Sequence, residues 1–260
     1  MFEKESLKKK LEKGKVVFGA FVGIKDPAII EIMGLTGFDF VIADMEHTTN
    51  STTIMDDMIR AGEAANISVI VRVPEDYSSI LKVLEFGAEG VLFPHIRTKQ
   101  DAQGLVNRAK YYPIGQRGMD PSTRSAMYSL ENFKEHMQRC NDNTLVCAMI
   151  EDKEAVDNIE DIVSVEGLDL IFLGPSDLSQ SLGVASEVNS NIVQEKINHI
   201  IQVCQKNKDS IKIGLPAFTA EDIPGILEKK IDLITSPAID LMFVADQLQN
   251  HMKKIQSFIK

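Results

Sequence analysis

Ionisable side chains follow several short apolar runs of this sequence, and two acidic ones form the pair with the clearest chemistry. Glu151 closes the run TLVCAMIE, and Asp177 comes shortly after the run LDLIFLG. If these runs are adjacent parallel strands, both carboxylates lie at the same edge, where hard oxygen ligands favour Mg²⁺ or Mn²⁺ completed by water and substrate oxygens. The alternative is that Asp177 and Asp152 cap the helices that follow. The placement of the pair on neighbouring strand ends favours the metal site.

A basic residue and a histidine lie at the ends of two earlier runs. Arg72 is part of the otherwise apolar run SVIVRV, where an unpaired guanidinium is costly to bury. It therefore needs an ion pair with Asp44 or Glu46, or an anionic ligand whose carboxylate or developing oxyanion it would clamp; we favour the ligand. His47 is either a general base, because its ordinary pKa is close to working pH, or an exposed loop residue.

Other polar residues near the run ends have simpler interpretations. His95, at the end of the fourth run, is either a weaker candidate than His47 for a general base or a residue that orients a neighbour. In GPSDLSQSLG, Ser176 and Asp177 begin a short predicted helix, whose free backbone N–H groups suit a small carboxylate. Three histidines in polar, helical contexts are predicted to lie on the surface: His136, His199 and His251.

The elements that must position these residues alternate regularly along the chain. Eight short apolar runs are predicted to be strands: Val17–Val22, Phe38–Asp44, Ser68–Val73, Gly90–His95, Thr144–Glu151, Leu168–Gly174, Ile211–Phe218 and Ile231–Pro237. Amphipathic segments separate them, and this alternation predicts an α/β fold, a (β/α)8 TIM barrel. A doubly wound sheet is less favoured because no Gly-rich nucleotide loop is present. Phe2, Leu7 and Leu11 predict an N-terminal helix that closes the bottom of the barrel.

Composition limits the class of protein further. The 260 residues include 28 Lys and Arg and 38 Asp and Glu, and the resulting net charge of −10 argues against nucleic acid or an anionic membrane as the main partner. Three cysteines without a redox or zinc spacing predict a reducing compartment. Because the charged N-terminus does not resemble a signal peptide and no linker divides residues 1–260, we predict one cytoplasmic domain.

Six motifs of the sequence together resemble the HpcH/HpaI (hydroxy-oxo-heptanedioate) aldolase family: GFDFVIADMEH, VRVP, LEFGAEGVLFPHIRT, YYPIGQRG, AMIED and FLGPSDLSQSLG. The resemblance extends in order from about Gly19 to Asp240. It implies a metal-dependent class II pyruvate aldolase, related more distantly to the citrate lyase beta subunit. The implied fold is a barrel of the phosphoenolpyruvate/pyruvate superfamily. The implied assembly is a homohexamer, a trimer of dimers, in which subunits exchange a C-terminal helix.

The resemblance also implies roles for single residues. Four side chains at strand ends take part: Glu151 and Asp177 as metal ligands, His47 as catalytic base and Arg72 as the group that stabilises the pyruvate enolate. The metal would be Mg²⁺ or Mn²⁺, with Co²⁺ as an alternative. The backbone around Ser176, from Gly174 to Asp177, would bind the pyruvate carboxylate of a 2-oxo acid substrate.

Two positions depart from the family pattern. Glu85 stands where the family commonly has an Asp that pairs with the catalytic histidine of a neighbouring subunit, so Glu85 is implied as a catalytic residue. Met149 occupies a position often held by a Gln that contacts substrate. The first departure affects the implied pair of an acidic residue with the catalytic histidine. The second removes one implied hydrogen bond to the substrate.

The implied reaction is cleavage of a 4-hydroxy-2-oxo acid to pyruvate and an aldehyde. Two alternatives are another enolate reaction at the same site, such as oxaloacetate decarboxylation or a citrate-lyase-like cleavage, and a catalytically silent barrel that binds a carboxylate. A Schiff-base route would need a lysine in the mouth of the barrel. Lys25 is the only nearby candidate, and the following Asp26-Pro27 is typical of a helix start.

Overall fold

Eight parallel strands close into a barrel in the computed structural model, which describes residues 5–236 and 239–259. The strands are β1 (Val17–Val22), β2 (Phe40–Asp44), β3 (Ser68–Arg72), β4 (Gly90–Phe93), β5 (Leu145–Ile150), β6 (Leu170–Leu173), β7 (Lys212–Pro216) and β8 (Leu233–Thr235). Each strand pairs with the next, and β8 pairs with β1, where Leu233 lies opposite Val17. The predicted TIM-barrel fold is confirmed.

Helices precede, connect and follow the strands. They are α1 (Leu7–Glu12), α2 (Ala28–Leu35), α3 (Thr52–Ala64), α4 (Tyr77–Phe86), α5 (Lys99–Ala109), α6 (Phe133–Asn143), α7 (Lys153–Asp157), α8 (Ile159–Val163), α9 (Pro175–Ser181), α10 (Asn191–Lys206), α11 (Ile223–Glu228) and α12 (Asp240–Ser257). Within residues 5–236 and 239–259, none of them combines the length and apolar character that a bilayer-spanning helix needs.

Strand β1 matches its predicted run, and the other seven strands are shorter than the apolar runs that predict them. The fourth predicted strand continues to His95, but β4 ends at Phe93. Pro94 has no N–H to donate to a neighbouring strand, and His95 adopts a left-handed backbone with φ 52° that leaves the strand direction. The predicted end of the eighth strand, Pro237, lies outside the described residues.

The interior of the barrel is filled by side chains at alternate strand positions. Phe40 is fully buried there, and a Cβ at Gly19 of the neighbouring strand would overlap its ring. Leu7 and Leu11 of α1 are each 1% exposed and pack into this interior cluster from below. The predicted closing helix is therefore confirmed for these residues, while Phe2 lies outside the described part of the chain.

The same alternation carries polar side chains to the mouth of the barrel, at the carboxyl ends of the strands. Ile42 and Ile70 face the interior, so Asp44 and Arg72, two residues further on, face the same way. In the register of β2 and β3, Asp44 lies directly opposite Arg72. Glu151 follows inward-facing Met149 in the same manner.

His136 is fully buried, so its predicted surface position is wrong. Its ring stacks on Phe133 with 5.3 Å between centroids, and its Nε2 lies 3.5 Å from the hydroxyl of Tyr111. Burial lowers the pKa of His136. The contact with Tyr111 could not be predicted, because the sequence of α6 is polar and Tyr111 lies 25 positions away. His199 and His251 are exposed, as predicted.

Candidate active site

Arg72 and Asp44 form a buried, two-pronged ion pair at the mouth. Arg72 Nε donates to Asp44 Oδ1 at 2.9 Å, and Nη2 donates to Oδ2 at 2.7 Å. Glu46 Oε2 lies 3.4 Å from Nη1, and the guanidinium lies 4.7 Å above the centre of the Phe21 ring. The ion pair that the sequence offered as an alternative is therefore present. Because a guanidinium has five N–H donors, these contacts still leave donors for a ligand.

Asp44 also fixes the loop that carries His47. Its Oδ1 accepts the backbone N–H of Glu46 at 2.9 Å and that of His47 at 3.4 Å. Its carbonyl accepts a hydrogen bond from the Asn50 side chain at 2.9 Å. The His47 side chain is 64% exposed, with Nε2 3.9 Å from Glu46 Oε2. His47 thus lies on the rim of the mouth, open to whatever approaches from outside.

Glu151 is a deeply buried carboxylate of the mouth, with a side chain only 3% exposed. Its Oε1 accepts the backbone N–H of His95 at 2.9 Å. Gly174 makes room for the other oxygen, since a Cβ there would lie 2.7 Å from Oε2. Burial, with the nearby negative charges of Asp177 and Glu46, raises the pKa of Glu151 to about 7. Any side chain at position 174 would therefore collide with the Glu151 carboxylate where it now lies.

These surroundings fit a divalent cation. A buried carboxylate crowded by other acidic groups gains most from a nearby positive charge. Asp177 lies in the first turn of α9, and Ser176 beside it is exposed. Across residues 5–236 and 239–259, no group of three or more His, Cys, Asp or Glu is arranged to hold a metal. The two residues that could hold a cation here are Glu151 and Asp177, with water and substrate oxygens as the other ligands.

His95 also belongs to a small network of charged side chains beside Glu151, formed with Asp152 and Arg97. Its Nδ1 lies 3.0 Å from Asp152 Oδ2, and Arg97 Nε lies 3.2 Å from the same oxygen. Burial lowers the pKa of His95, but the hydrogen bond with Asp152 and the charge of Glu151 outweigh it and raise the pKa overall. Asp152 precedes α7 without capping it through its side chain, because that carboxylate is used by this network.

Glu85 is not brought to the mouth of its own barrel. It lies in the last turn of α4, just before β4 begins, at the opposite end from His47. Burial raises the pKa of Glu85, and the positive charge of Arg117 partly opposes the effect. Within one chain the structure therefore does not place Glu85 near the histidine.

Two residues of the mouth were not identified from the sequence. Phe21 lies under the Arg72 guanidinium and also meets Phe172 edge-on, with 5.8 Å between centroids. The alternation of β1 gave a signal for it, since Phe21 shares the inward face of Val17. Arg97 follows β4 in an irregular segment, where no periodic pattern indicates which way a side chain points.

The family of the protein is decided by comparison with known sequences. The family model described as HpcH/HpaI aldolase/citrate lyase matches residues 17–245. The chain belongs to this family. As a member of this aldolase and citrate lyase family, the protein is a carbon–carbon lyase.

Relatives of this HpcH/HpaI family protein carry more than one name. A 5-keto-4-deoxy-D-glucarate aldolase from Shigella boydii serotype 18 is 33% identical over 187 residues, 72% of each chain. The solved structure of the citrate synthase SbnG is 33% identical and has a TM-score of 0.88, covering 97% of this chain and 98% of that one. An HpcH/HpaI aldolase from Desulfitobacterium hafniense DCB-2 is 28% identical with a TM-score of 0.90, covering 96% of both chains.

A more distant neighbour shares only the fold. The citrate lyase beta subunit of M. tuberculosis, solved with oxaloacetate and magnesium, is 14% identical with a TM-score of 0.58, and the match covers 90% of this chain and 96% of that one. The magnesium belongs to that neighbour, and the likeness to it concerns the fold alone.

Proposed function

We propose that the protein is a metal-dependent class II aldolase that cleaves a 4-hydroxy-2-oxo acid to pyruvate and an aldehyde through a pyruvate enolate. The observation that carries this proposal is the buried Glu151 carboxylate near Asp177, at the same mouth as an Arg72 whose guanidinium retains free donors. The similarity to a 5-keto-4-deoxy-D-glucarate aldolase supports the choice of substrate class.

Binding of the 2-oxo acid would use the floor of the mouth. A divalent cation (Mg²⁺, Mn²⁺ or Co²⁺) held by Glu151 and Asp177 would polarise the 2-oxo group. The backbone from Gly174 to Asp177, where α9 begins, would receive the substrate carboxylate at its N–H groups. Arg72 would donate to the carbonyl oxygen, on which negative charge develops as the carbon–carbon bond breaks.

Proton transfer is assigned to His47. The imidazole, directly or through a water, would take the proton from the C4 hydroxyl as the C3–C4 bond breaks and the aldehyde forms. The electron pair of that bond moves into the enolate, whose oxygen Arg72 would stabilise until a proton returns to C3. Because His47 is 64% exposed, a group from another copy could reach and orient it. We propose that Glu85 of a neighbouring subunit is the group that orients His47.

The proposed assembly of single-domain barrels is a homohexamer, a trimer of dimers. Helix α12 supports it because large apolar side chains on this helix are exposed: Leu241, Met242, Phe243, Val244, Leu248, Met252 and Ile255. Contiguous exposed apolar surface of this kind is typical of an interface. A second copy that packs against α12 would cover these side chains.

A Schiff-base mechanism is the less favourable route. Lys25 is exposed in the loop after β1, and the adjacent Asp26 accepts the N–H of Ala28 at 2.9 Å as α2 begins. We expect Lys25→Ala to retain turnover, measured as pyruvate release, and wild type to show no adduct trapped with borohydride. Loss of turnover in that variant would reopen the Schiff-base route.

A second candidate function is carbon–carbon bond formation or cleavage at oxaloacetate or citrate. The observation that favours it is the 33% identity to the citrate synthase SbnG, which extends over 97% of this chain. It uses the same mouth, because oxaloacetate is also a 2-oxo acid.

A panel of substrates separates the two functions. Pyruvate release from 4-hydroxy-2-oxo acids would be followed with lactate dehydrogenase and NADH, with Mg²⁺ and then with EDTA. Oxaloacetate decarboxylation and citrate cleavage or synthesis would be measured beside it. The aldolase proposal expects metal-dependent release from a hydroxy-oxo acid. Turnover confined to oxaloacetate or citrate would replace it with the second function, and no turnover of any of these acids would contradict both.

A further inference from the structure

His95 has a backbone conformation that is uncommon for any residue other than glycine. It follows Pro94 at the end of β4, and its φ of 52° lies in the left-handed region. A side chain with a Cβ is strained there, and glycine or asparagine is the usual occupant. Such strain persists only where surrounding contacts hold it, and it is often found at functional sites.

The left-handed turn directs two successive amides at the end of β5. The His95 N–H donates to Glu151 Oε1 at 2.9 Å, and the next N–H, of Ile96, donates to the carbonyl of Met149 at 3.3 Å. An extended residue at position 95 would carry the chain onward in the direction of β4. The turn therefore brings an amide donor to a carboxylate that is otherwise deeply buried.

The imidazole of His95 holds this conformation from the other side. Its Nδ1 lies 3.0 Å from Asp152 Oδ2, and Arg97 Nε lies 3.2 Å from the same oxygen. Backbone and side chain of one residue thus contact two consecutive acidic residues, Glu151 and Asp152. Opposite the His95 amide, Gly174 limits movement of the carboxylate, since a Cβ there would lie 2.7 Å from Oε2.

We propose that His95 is a positioning residue for Glu151. Its left-handed backbone, anchored by Asp152, aims an N–H at Oε1 and so sets the direction in which the carboxylate presents its remaining lone pairs. The inference rests on the proposed function, because it takes Glu151 to be a ligand of the divalent cation. Outer hydrogen bonds of this kind, when lost, commonly weaken metal affinity by roughly 10–100-fold.

Variants at one position separate backbone conformation from side-chain chemistry. Gly and Asn adopt positive φ readily, whereas the β-branched Val resists it. Mn²⁺ affinity would be measured from the electron paramagnetic resonance signal of free Mn²⁺, with wild type and Glu151→Gln as references. We expect His95→Gly and His95→Asn to bind Mn²⁺ within about threefold of wild type, and His95→Val to bind at least about tenfold more weakly.

A variant outside position 95 covers the case in which His95→Val does not fold. Asp152→Ala removes the anchor of the imidazole, and we expect it to weaken Mn²⁺ binding by about tenfold while circular dichroism stays unchanged. If wild type binds Mn²⁺ through Glu151 but neither His95→Val nor Asp152→Ala weakens binding, the positioning role is overturned and the metal site stands. If wild type and Glu151→Gln bind Mn²⁺ equally, or not at all, the metal site itself is overturned and the positioning role with it.

Discussion

Arg72 both stabilises the fold through its ion pair with Asp44 and takes part in the proposed chemistry. Both it and Asp44 are buried, so the ion pair offsets the cost of taking two charges out of water. The same Asp44 carboxylate accepts N–H groups of the loop that carries His47. A change at either residue therefore affects stability as well as the position of the proposed base.

Breaking this pair from one side leaves a buried charge without its partner. We expect Asp44→Asn and Arg72→Met each to lower the free energy of unfolding by about 3–5 kcal/mol, and the double variant to lose less than the sum. Urea denaturation measures all three. As a control, Arg60→Met removes an exposed i,i+4 pair with Asp56 and should cost below about 0.5 kcal/mol. Additive losses in the double variant would contradict the pairing.

Residue identities at the mouth could be predicted from the sequence, and an ion pair of Arg72 with Asp44 or Glu46 was one of two alternatives, but the geometry of the contacts could not be predicted. Asp44, Arg72 and Glu151 all end apolar runs, which is a local signal. The pairing of Arg72 with Asp44, 28 positions away, depends on the register of β2 and β3. The left-handed turn at His95 could not be predicted, because a histidine after a proline does not by itself specify a positive φ.

Among the elements, helix α1 closes the bottom of the barrel, like a plug. Leu7 and Leu11 fill space that the strands leave open, and both are buried. The spacing of these leucines predicted the helix and its apolar face. The strand ends were harder to predict, because apolar residues continue past the last hydrogen bond of several strands.

Truncating the plug should leave a cavity in the barrel. We expect Leu11→Ala to lower the free energy of unfolding by about 2–5 kcal/mol, whereas Lys9→Ala on the exposed side of α1 should change it by less than about 0.5 kcal/mol. Guanidinium denaturation of both variants gives the comparison. Equal effects would mean that α1 does not pack as described.

A buried lysine joins elements near the same end of the barrel. Lys110, which follows α5, donates to the carbonyls of Asn141 and Thr144 and lies 3.4 Å from Asp169. Burial lowers its pKa to about 8, with Asp169 opposing the effect. Between about pH 8 and the ordinary lysine pKa near 10.5, the unfolded chain therefore binds more protons than the folded protein.

This difference makes the contribution of Lys110 to the free energy of unfolding rise with pH across that window, by up to about 1.4 kcal/mol per pH unit. Lys110→Met removes the contribution, so its stability should rise less steeply, or fall more steeply, than that of wild type above pH 8. Urea denaturation from pH 7.5 to 9.5 measures the slopes. The exposed Lys99→Met is the control, and identical slopes in Lys110→Met and wild type would refute the assignment.

For the whole molecule, net charge is a poor guide to the ligand. The charge of −10 argues against nucleic acid, yet the proposed substrate is itself an anion. Its binding depends on local groups: Arg72, the N–H groups at the start of α9 and a cation at Glu151. The fold could be predicted from the alternation of elements. The position of Glu85 could not be interpreted from one chain, since its proposed partner belongs to another copy.

The apolar side of α12 should decide the assembly. We expect Leu248→Asp together with Met252→Asp to shift the protein to smaller species in light scattering coupled to size-exclusion chromatography, because both side chains lie one turn apart on that side and are exposed in one chain. Gln247→Asp on the same helix adds the charge without removing an apolar side chain and should keep the wild-type mass. An unchanged mass in the double variant would contradict the proposed interface.

The central claim is that Glu151 supports metal-dependent formation of a pyruvate enolate. Proton NMR of pyruvate in D₂O tests it by following exchange of the methyl protons. With Mg²⁺, wild type should exchange them; EDTA should abolish exchange, and Glu151→Gln should slow it by at least about 100-fold. Glu75→Gln, at an exposed carboxylate paired with Arg97, should exchange like wild type. Exchange that persists in EDTA or at full rate in Glu151→Gln, or no exchange in wild type, would contradict the claim.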